Sequence, residues 1–231
     1  MTVHTGFTRE PAPGVFVLER YDDSGWGWNV VAVRNASGGL LLYSPSSLGE
    51  DTFARIDALG GEVQALLVPN HFHNLALKRF RERYPKAKAL ASRGGWKRLA
   101  RNGHDGLGPS EDALPFLPPD SRVLESEGMK TGEVWLSLPS TSGRVLLVGD
   151  SFMNRMRPTK GVTGFVVETV LGIGVGLSLS RTLHFLHIAD KARYQDWARA
   201  TVTREGPTTL VVTHGEPLTA SDLTARLLAL I

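Results

Sequence analysis

No cysteine occurs anywhere in the 231 residues. That absence removes disulfide scaffolds, thiolate zinc sites, iron–sulfur clusters and thiol nucleophiles, and it agrees with a reducing, cytoplasmic setting. Also lacking is an apolar run of membrane-spanning length. In the most apolar stretch, residues 161–188, Glu168 and Arg181 leave twelve uncharged residues between them, against the roughly 18–20 that cross a bilayer. The stretch reads as a buried helix or helix pair, and no membrane span is expected. The first twenty residues lack the basic-then-apolar pattern of a signal peptide. With no internal repeat, low-complexity tract or evident linker, residues 1–231 read as a single domain.

Acidic residues are scarce in one region. From Lys78 to Arg101 there are ten basic residues against one acid, Glu82, whereas the rest of the chain holds 16 basic and 22 acidic residues. Such a cluster could attract an anionic ligand, or it could be two solvated helix faces. Its only interleaved aromatics are Phe80, Tyr84 and Trp96, and no nucleic-acid-binding module is evident, so nucleic acid is disfavoured as a partner. A homodimer is left open.

What is present is an alternation of short elements. Strand-like segments occupy 15–20, 28–34 and 40–44, separated by turn-rich pieces. Phe53, Ile56 and Leu59 recur at helical spacing before the glycine pair Gly60 and Gly61. Residues 63–69 form an apolar run suited to a strand buried on both faces. A helix is expected over 74–85, with Asn74 as N-cap and Pro85 as stop, then a strand at 87–92 and a helix at 94–103. Residues 104–121 read as loop. Strands follow at 122–127, 133–140 and 144–150, helices over the apolar stretch and 190–205, a strand at 208–214, and a last helix capped by Thr219 or Ser221. This order suits an α+β arrangement of two packed sheets with helices outside.

Three apolar strands end directly in polar residues. "ALLVPNHFH" delivers His71 and His73, "RVLLVGD" delivers Asp150, and "TTLVVTHGE" delivers His214. Strand ends are rigid and converge at the rim of a sheet, and imidazole and carboxylate are the donors that zinc, iron and manganese accept. Each residue also has a plainer reading, as a turn or capping group hydrogen-bonded to backbone. Asn154 reads as a turn residue. His184 and His187, three apart, share a helix face and could add ligands, though packing explains them too. His104 in the Gly-rich loop and His4 near the terminus carry little weight. "GIGVG" (172–176) lacks the lysine and the preceding strand of a phosphate loop.

These strand ends resemble the metallo-β-lactamase superfamily, in which a strand ends in His-x-His-x-Asp-His, a later strand-turn supplies Gly-His, a further strand ends in Gly-Asp, and a late strand ends in a His. "VPNHFHNLAL", "VLLVGDSFMN" and "LVVTHGEPL" fall in the first, third and fourth places in order. Together with "LLLYSPSSL" and "LVPNHFHNLALKRFRERYPKAKALAS", they look most like a poorly characterised branch of unknown function, over residues 14–229. The resemblance implies an αββα sandwich of two mixed sheets with outer helices. It also implies His71, His73, Asp150 and His214 as metal ligands, with Asp150 as ligand or water-orienting base.

The pattern is incomplete. Leu75 and Ala76 stand where the family has its Asp and next His, and neither side chain can ligate a metal. A register one residue earlier puts Asn70, Phe72, Asn74 and Leu75 in the four places. Met129 stands where the Gly-His imidazole belongs. A full binuclear site is therefore excluded by the donor set. What remains is a mononuclear zinc, iron or manganese site, or none. The two functional readings are a metal-dependent hydrolase of a small-molecule ester, thioester, lactone or phosphoester, and a non-catalytic binding or scaffolding protein of the same fold.

Overall fold

The computed structural model describes residues 3–45, 49, 51–156, 158, 161–166, 168, 174–179 and 187–231. The chain opens with an antiparallel meander, β1 (Val3–Ala12), β2 (Val15–Asp22), β3 (Gly27–Arg34) and β4 (Leu40–Tyr43). It then alternates helix and strand: α1 (Thr52–Ala58), β5 (Val63–Val68), α2 (Leu77–Arg83), β6 (Lys88–Ala91) and α3 (Arg93–Arg101). A two-residue strand β7 (Gly108–Pro109) and a 3₁₀ helix (Ser110–Phe116) follow. The second half holds β8 (Arg122–Glu125), β9 (Val134–Ser140), β10 (Gly143–Val148), β11 (Phe152–Arg155), α4 (Gly161–Phe165), β12 (Gly176–Leu179), α5 (Lys191–Glu205), β13 (Pro207–Val212), β14 (Leu218–Thr219) and α6 (Leu223–Leu230).

Two mixed sheets result. The first runs β1-β2-β3-β4-β5-β6-β7, antiparallel as far as β4 and parallel from β4 to β7. The second runs β14-β13-β10-β9-β8, with β10 and β13 parallel and the other pairs antiparallel. β11 and β12 form a separate pair.

The alternation of side chains across each strand explains the layers. In β5, Ala65 and Leu67 face the second sheet while Leu66 and Val68 face α1–α3, where Ile56, Leu77, Phe80 and Leu99 cover them. In β10, Val145 and Leu147 face the first sheet, and Leu146 and Val148 meet Tyr194, Ala198 and Val202 of α5 and Leu223 and Leu227 of α6. Strands buried on both faces need apolar residues at every position, which is why "VQALLV" and "VLLV" are unbroken runs. The layering is the αββα sandwich. Glu205 fixes the last turn of α5 to the second sheet, taking hydrogen bonds from Arg122, Ser137 and Arg204.

Four local expectations change. The helix at 74–85 starts only at Leu77, with Ala76 in the N-cap position. Asn74 is otherwise engaged: its amide nitrogen donates to the His71 carbonyl and its oxygen faces His104 Nε2 at 3.1 Å. The apolar stretch 161–188 is not continuously helical. Residues 176–179 form β12, paired with β11, a tertiary pairing that glycine-rich sequence of low helix propensity does not resist. The last helix has Asp222 as N-cap, because Thr219 pairs in β14 with Thr209 of β13. The loop 104–121 contains β7 and the 3₁₀ helix, whose Ala113 is buried in the inter-sheet core. His184 lies outside the described residues.

The inter-sheet layer should dominate stability. Leu147→Ala is expected to cost about 2–5 kcal/mol in urea unfolding. Leu75→Ala, at a side chain 83% exposed, is expected to stay within about 0.5 kcal/mol.

Candidate metal centre

Parallel pairing decides what meets at the rim. β10 and β13 are in register at Val148 and Val212, so Gly149-Asp150 and Thr213-His214 leave the second sheet side by side. Thr213 Oγ1 donates to the Gly149 carbonyl at 2.8 Å and locks the two turns together. In the first sheet, β4 and β5 pair in parallel at Tyr43 and Leu67, so Ser44 and the Pro69–His73 turn emerge at one edge. The edges of the two sheets are joined by Val134 N to Pro69 O at 2.7 Å and Asn29 N to Thr213 O at 2.9 Å.

At this junction His73, Asp150 and His214 each offer one ligand atom, and these atoms lie within 4.8 Å of one another. Asp150 Oδ1 is the centre, 2.9 Å from His73 Nε2 and 3.1 Å from His214 Nε2. Asp150 Oδ2 accepts from Asn70 Nδ2 at 2.8 Å, which fixes the plane of the carboxylate. All three side chains are buried.

The imidazoles are held from behind. His214 Nδ1 lies 2.8 Å from the Gly27 carbonyl. A carbonyl only accepts, so Nδ1 carries the proton, and in the neutral ring Nε2 presents a lone pair. That lone pair faces a carboxylate oxygen. The contact is favourable when a proton or a metal ion is shared between the two atoms. His73 Nδ1 lies 2.9 Å from Ser44 Oγ, the same arrangement when the hydroxyl accepts. Anchoring the far nitrogen and leaving Nε2 for the metal is the usual outer-shell construction of imidazole ligands. Ser44 adopts φ 63°, unusual for a residue with a side chain, and is fully buried.

Beneath Asp150 lies Glu133, wholly buried. It accepts from Trp135 Nε1 at 2.8 Å and from the backbone N–H groups of Asp150 and Ser151 at 3.2 Å each. Burial, then the nearby Asp150 charge, push its carboxyl up to about 7. Burial raises the Asp150 carboxyl too, but His73 and His214 outweigh it and hold it well below the usual carboxylate range. Gly215, at φ 117°, allows the next turn: a Cβ there would fall 2.0 Å from the Asn154 carbonyl. Asn154 also donates its side-chain amide to Glu216 O at 2.8 Å.

Three of the four expected ligands thus come together. His71 does not join them. The chain has left β5 and is turning over residues 69–76, so the two-residue spacing that would put His71 and His73 on one face of a strand no longer applies. His71 instead packs edge-on to Phe72, ring centres 4.4 Å apart. Burial, with the positive charges of Arg98 and His187, lowers its imidazole to about 4. His104 is buried against Asn74 and is not one of the three grouped donors. Leu75 is exposed, Ala76 is buried, and neither offers a donor.

Ser44, Asn70, Glu133 and Asn29 were not picked out by the strand-end pattern as supports. Asn29 Nδ2 donates to Val212 O at 2.8 Å and Gly215 O at 2.6 Å, clamping the His214 turn to β3. A lone amide inside the apolar run "WNVVAV" was the available signal. Beside His214 opens a small cleft of about 50 Å³, lined among others by Arg20, Trp26, Arg155 and Glu216. The Trp26 ring lies 5.0 Å from that of His214, and the Arg155 guanidinium sits over Trp26 at 5.5 Å.

The fold is that of the metallo-β-lactamases. Over 100% of its length the chain is similar to the metallo-β-lactamase FIM-1 from Pseudomonas aeruginosa in its mono-zinc form, with a TM-score of 0.59, 12% identity and 95% of that chain covered. It is similar to TTHA1623 in a di-iron-bound form with a TM-score of 0.56 and 17% identity, covering 96% of this chain and 98% of that one. The rubredoxin oxygen:oxidoreductase of Desulfovibrio gigas aligns with a TM-score of 0.65 and 12% identity over 96% of this chain, which spans 60% of that longer protein. No protein-family model and no curated protein matches the sequence.

The His71 imidazole sets a pH test. Its folded-state value lies below the ordinary 6.5, so protons bind the unfolded chain more tightly. The stability linked to neutral His71 is complete above about pH 6.5 and is lost as pH falls toward 4. Denaturant unfolding between pH 7 and 4 should show a shallower acid loss in His71→Gln than in the parent chain; parallel profiles would contradict this.

Proposed function

We propose that the chain is a mononuclear metal-dependent hydrolase of a small ester, thioester, lactone or phosphoester. One observation carries this reading: two imidazole nitrogens and one carboxylate oxygen converge, with the opposite nitrogen of each imidazole already engaged. Two histidines and one carboxylate form a donor set typical of catalytic zinc and non-haem iron sites. Such an ion supplies Lewis acidity and lowers the pKa of water toward ~7.

The chain's own residues divide the remaining work. His73, Asp150 and His214 would hold the ion. Asn70 and Glu133 orient Asp150, one through its side chain and one through its backbone. The cleft beside His214 would seat part of a substrate, with Trp26 as its apolar wall; Arg155, which lines it, is paired with Glu168 at 3.2 Å. Zinc, iron and manganese all suit these donors.

The second reading, a non-catalytic protein of this fold, draws on the missing donors at Leu75, Ala76 and Met129 and on the basic residues of α2 and α3. Several of those bases are internally engaged: Arg83 with Asp57, Arg93 with Glu111, Arg81 with the Asp105 carbonyl.

Metal analysis separates the two. The purified chain should carry close to one zinc, iron or manganese, and His214→Ala and Asp150→Asn should each lower metal affinity more than ~10-fold, with hydrolysis of chromogenic esters lost in parallel. A metal-free chain whose stability ignores chelators would sink the hydrolase reading in favour of the second.

A further inference from the structure

Beyond the trio, one more imidazole lies at the same junction and has no assigned work. His187 is 5% exposed, and its Nδ1 is buried without a hydrogen-bond partner. A buried polar atom left so is uncommon and asks for an explanation. Its ring packs against Phe72, between the two histidines of the "HFH" turn, at 5.0 Å. Asp150 is the foremost charge acting on it, followed by His73, Lys130 and His214.

Its backbone is firmly placed. Lys130 N donates to the His187 carbonyl at 2.8 Å, Met129 and Ile188 form a β-bridge, and Ala189 N and Asp190 N both donate to Gly128 O. Gly128 makes this approach possible: at φ 69°, a Cβ there would lie 2.4 Å from Asp190 O. The other side of the same segment holds the first pair of histidines, through His71 N to Thr131 O at 3.3 Å. Residues 128–131 therefore carry His187 to the rim of the site from the second half of the chain. Directly across the bridge stands Met129, whose thioether is a poor donor to zinc.

We propose that His187 is a fourth protein ligand of the His73–Asp150–His214 centre. This rests on the metal-binding part of the function proposed above. His187 is not one of the three groups whose ligand atoms already lie within 4.8 Å of one another, so its ring joins them by side-chain rotation over a fixed backbone. Rotation toward a cation gives an unpartnered imidazole a strong partner. His71 is the weaker candidate for the same place. On His71 the Asp150 carboxylate acts behind the cation Arg98 and behind His187, whereas on His187 it comes ahead of every other charge, Lys130 included.

Cu²⁺ titration followed by electron paramagnetic resonance tests this without reference to activity. The parent chain should bind one Cu²⁺ with hyperfine structure from three nitrogens. His187→Ala should show two nitrogens and at least ~10-fold weaker binding, with the third nitrogen restored by added imidazole. His71→Ala should leave the parent spectrum unchanged. His187→Asn provides a second route if the alanine variant does not fold. A His187 variant that binds Cu²⁺ with the parent affinity and nitrogen count overturns the proposal while leaving the three-residue site intact. A parent chain that binds no Cu²⁺ overturns both.

Discussion

Everything at the junction depends on one oxygen atom. Asp150 Oδ1 faces the Nε2 atoms of both His73 and His214 at about hydrogen-bond distance. Because the Gly27 carbonyl has already claimed the other nitrogen of His214, the carboxylate meets a lone pair unless something positive lies between. A proton shared between the two atoms satisfies the contact, and so would a metal ion, which makes the cluster a group that could hold one. The surrounding groups serve that arrangement. Asn70 fixes the carboxylate plane, Thr213 ties the two turns together, and Glu133 gathers the N–H groups beneath Asp150.

The lines of sequence that placed this centre were local ones. An apolar run that stops on a histidine or aspartate is visible in one dimension, and parallel pairing of β10 with β13 converts it into adjacency. His71 and His73 carry the same one-dimensional signal, yet only one reaches the carboxylate, because the chain turns between them. Which residue a turn delivers depends on backbone dihedrals that spacing does not encode. The supports were harder to read for a different reason. Ser44, Asn29 and Glu133 act from strands or strand ends remote in sequence, and nothing local distinguishes a serine at the end of "LLLY" from any loop serine.

The sandwich itself was legible because strands buried on both faces must be apolar throughout, and few other elements produce runs such as "VQALLV" and "VLLV". The stretch 161–188 misled for the converse reason. It is apolar without a period that separates helix from strand, and at 176–179 the choice is made by β11, not by the segment. The N-cap assignment of Asn74 failed because a buried amide found better partners in His71 and His104 than in the first turn of α2.

The Asn29 clamp has a consequence of its own. One amide on β3 holds the carbonyls of Val212 and Gly215, so the first sheet grips the loop that carries His214, while His73 reaches Asp150 from the opposite direction. The three candidate donors thus belong to two sheets, and their contacts cross the seam between them. Any motion that parts the sheets also scatters the donors, and any cation that gathers the donors draws the sheets together. Were a metal held there, its occupancy would be linked to closure of the sandwich; without one, the contacts of Asp150 with His73 and His214 still fasten the two sheets together.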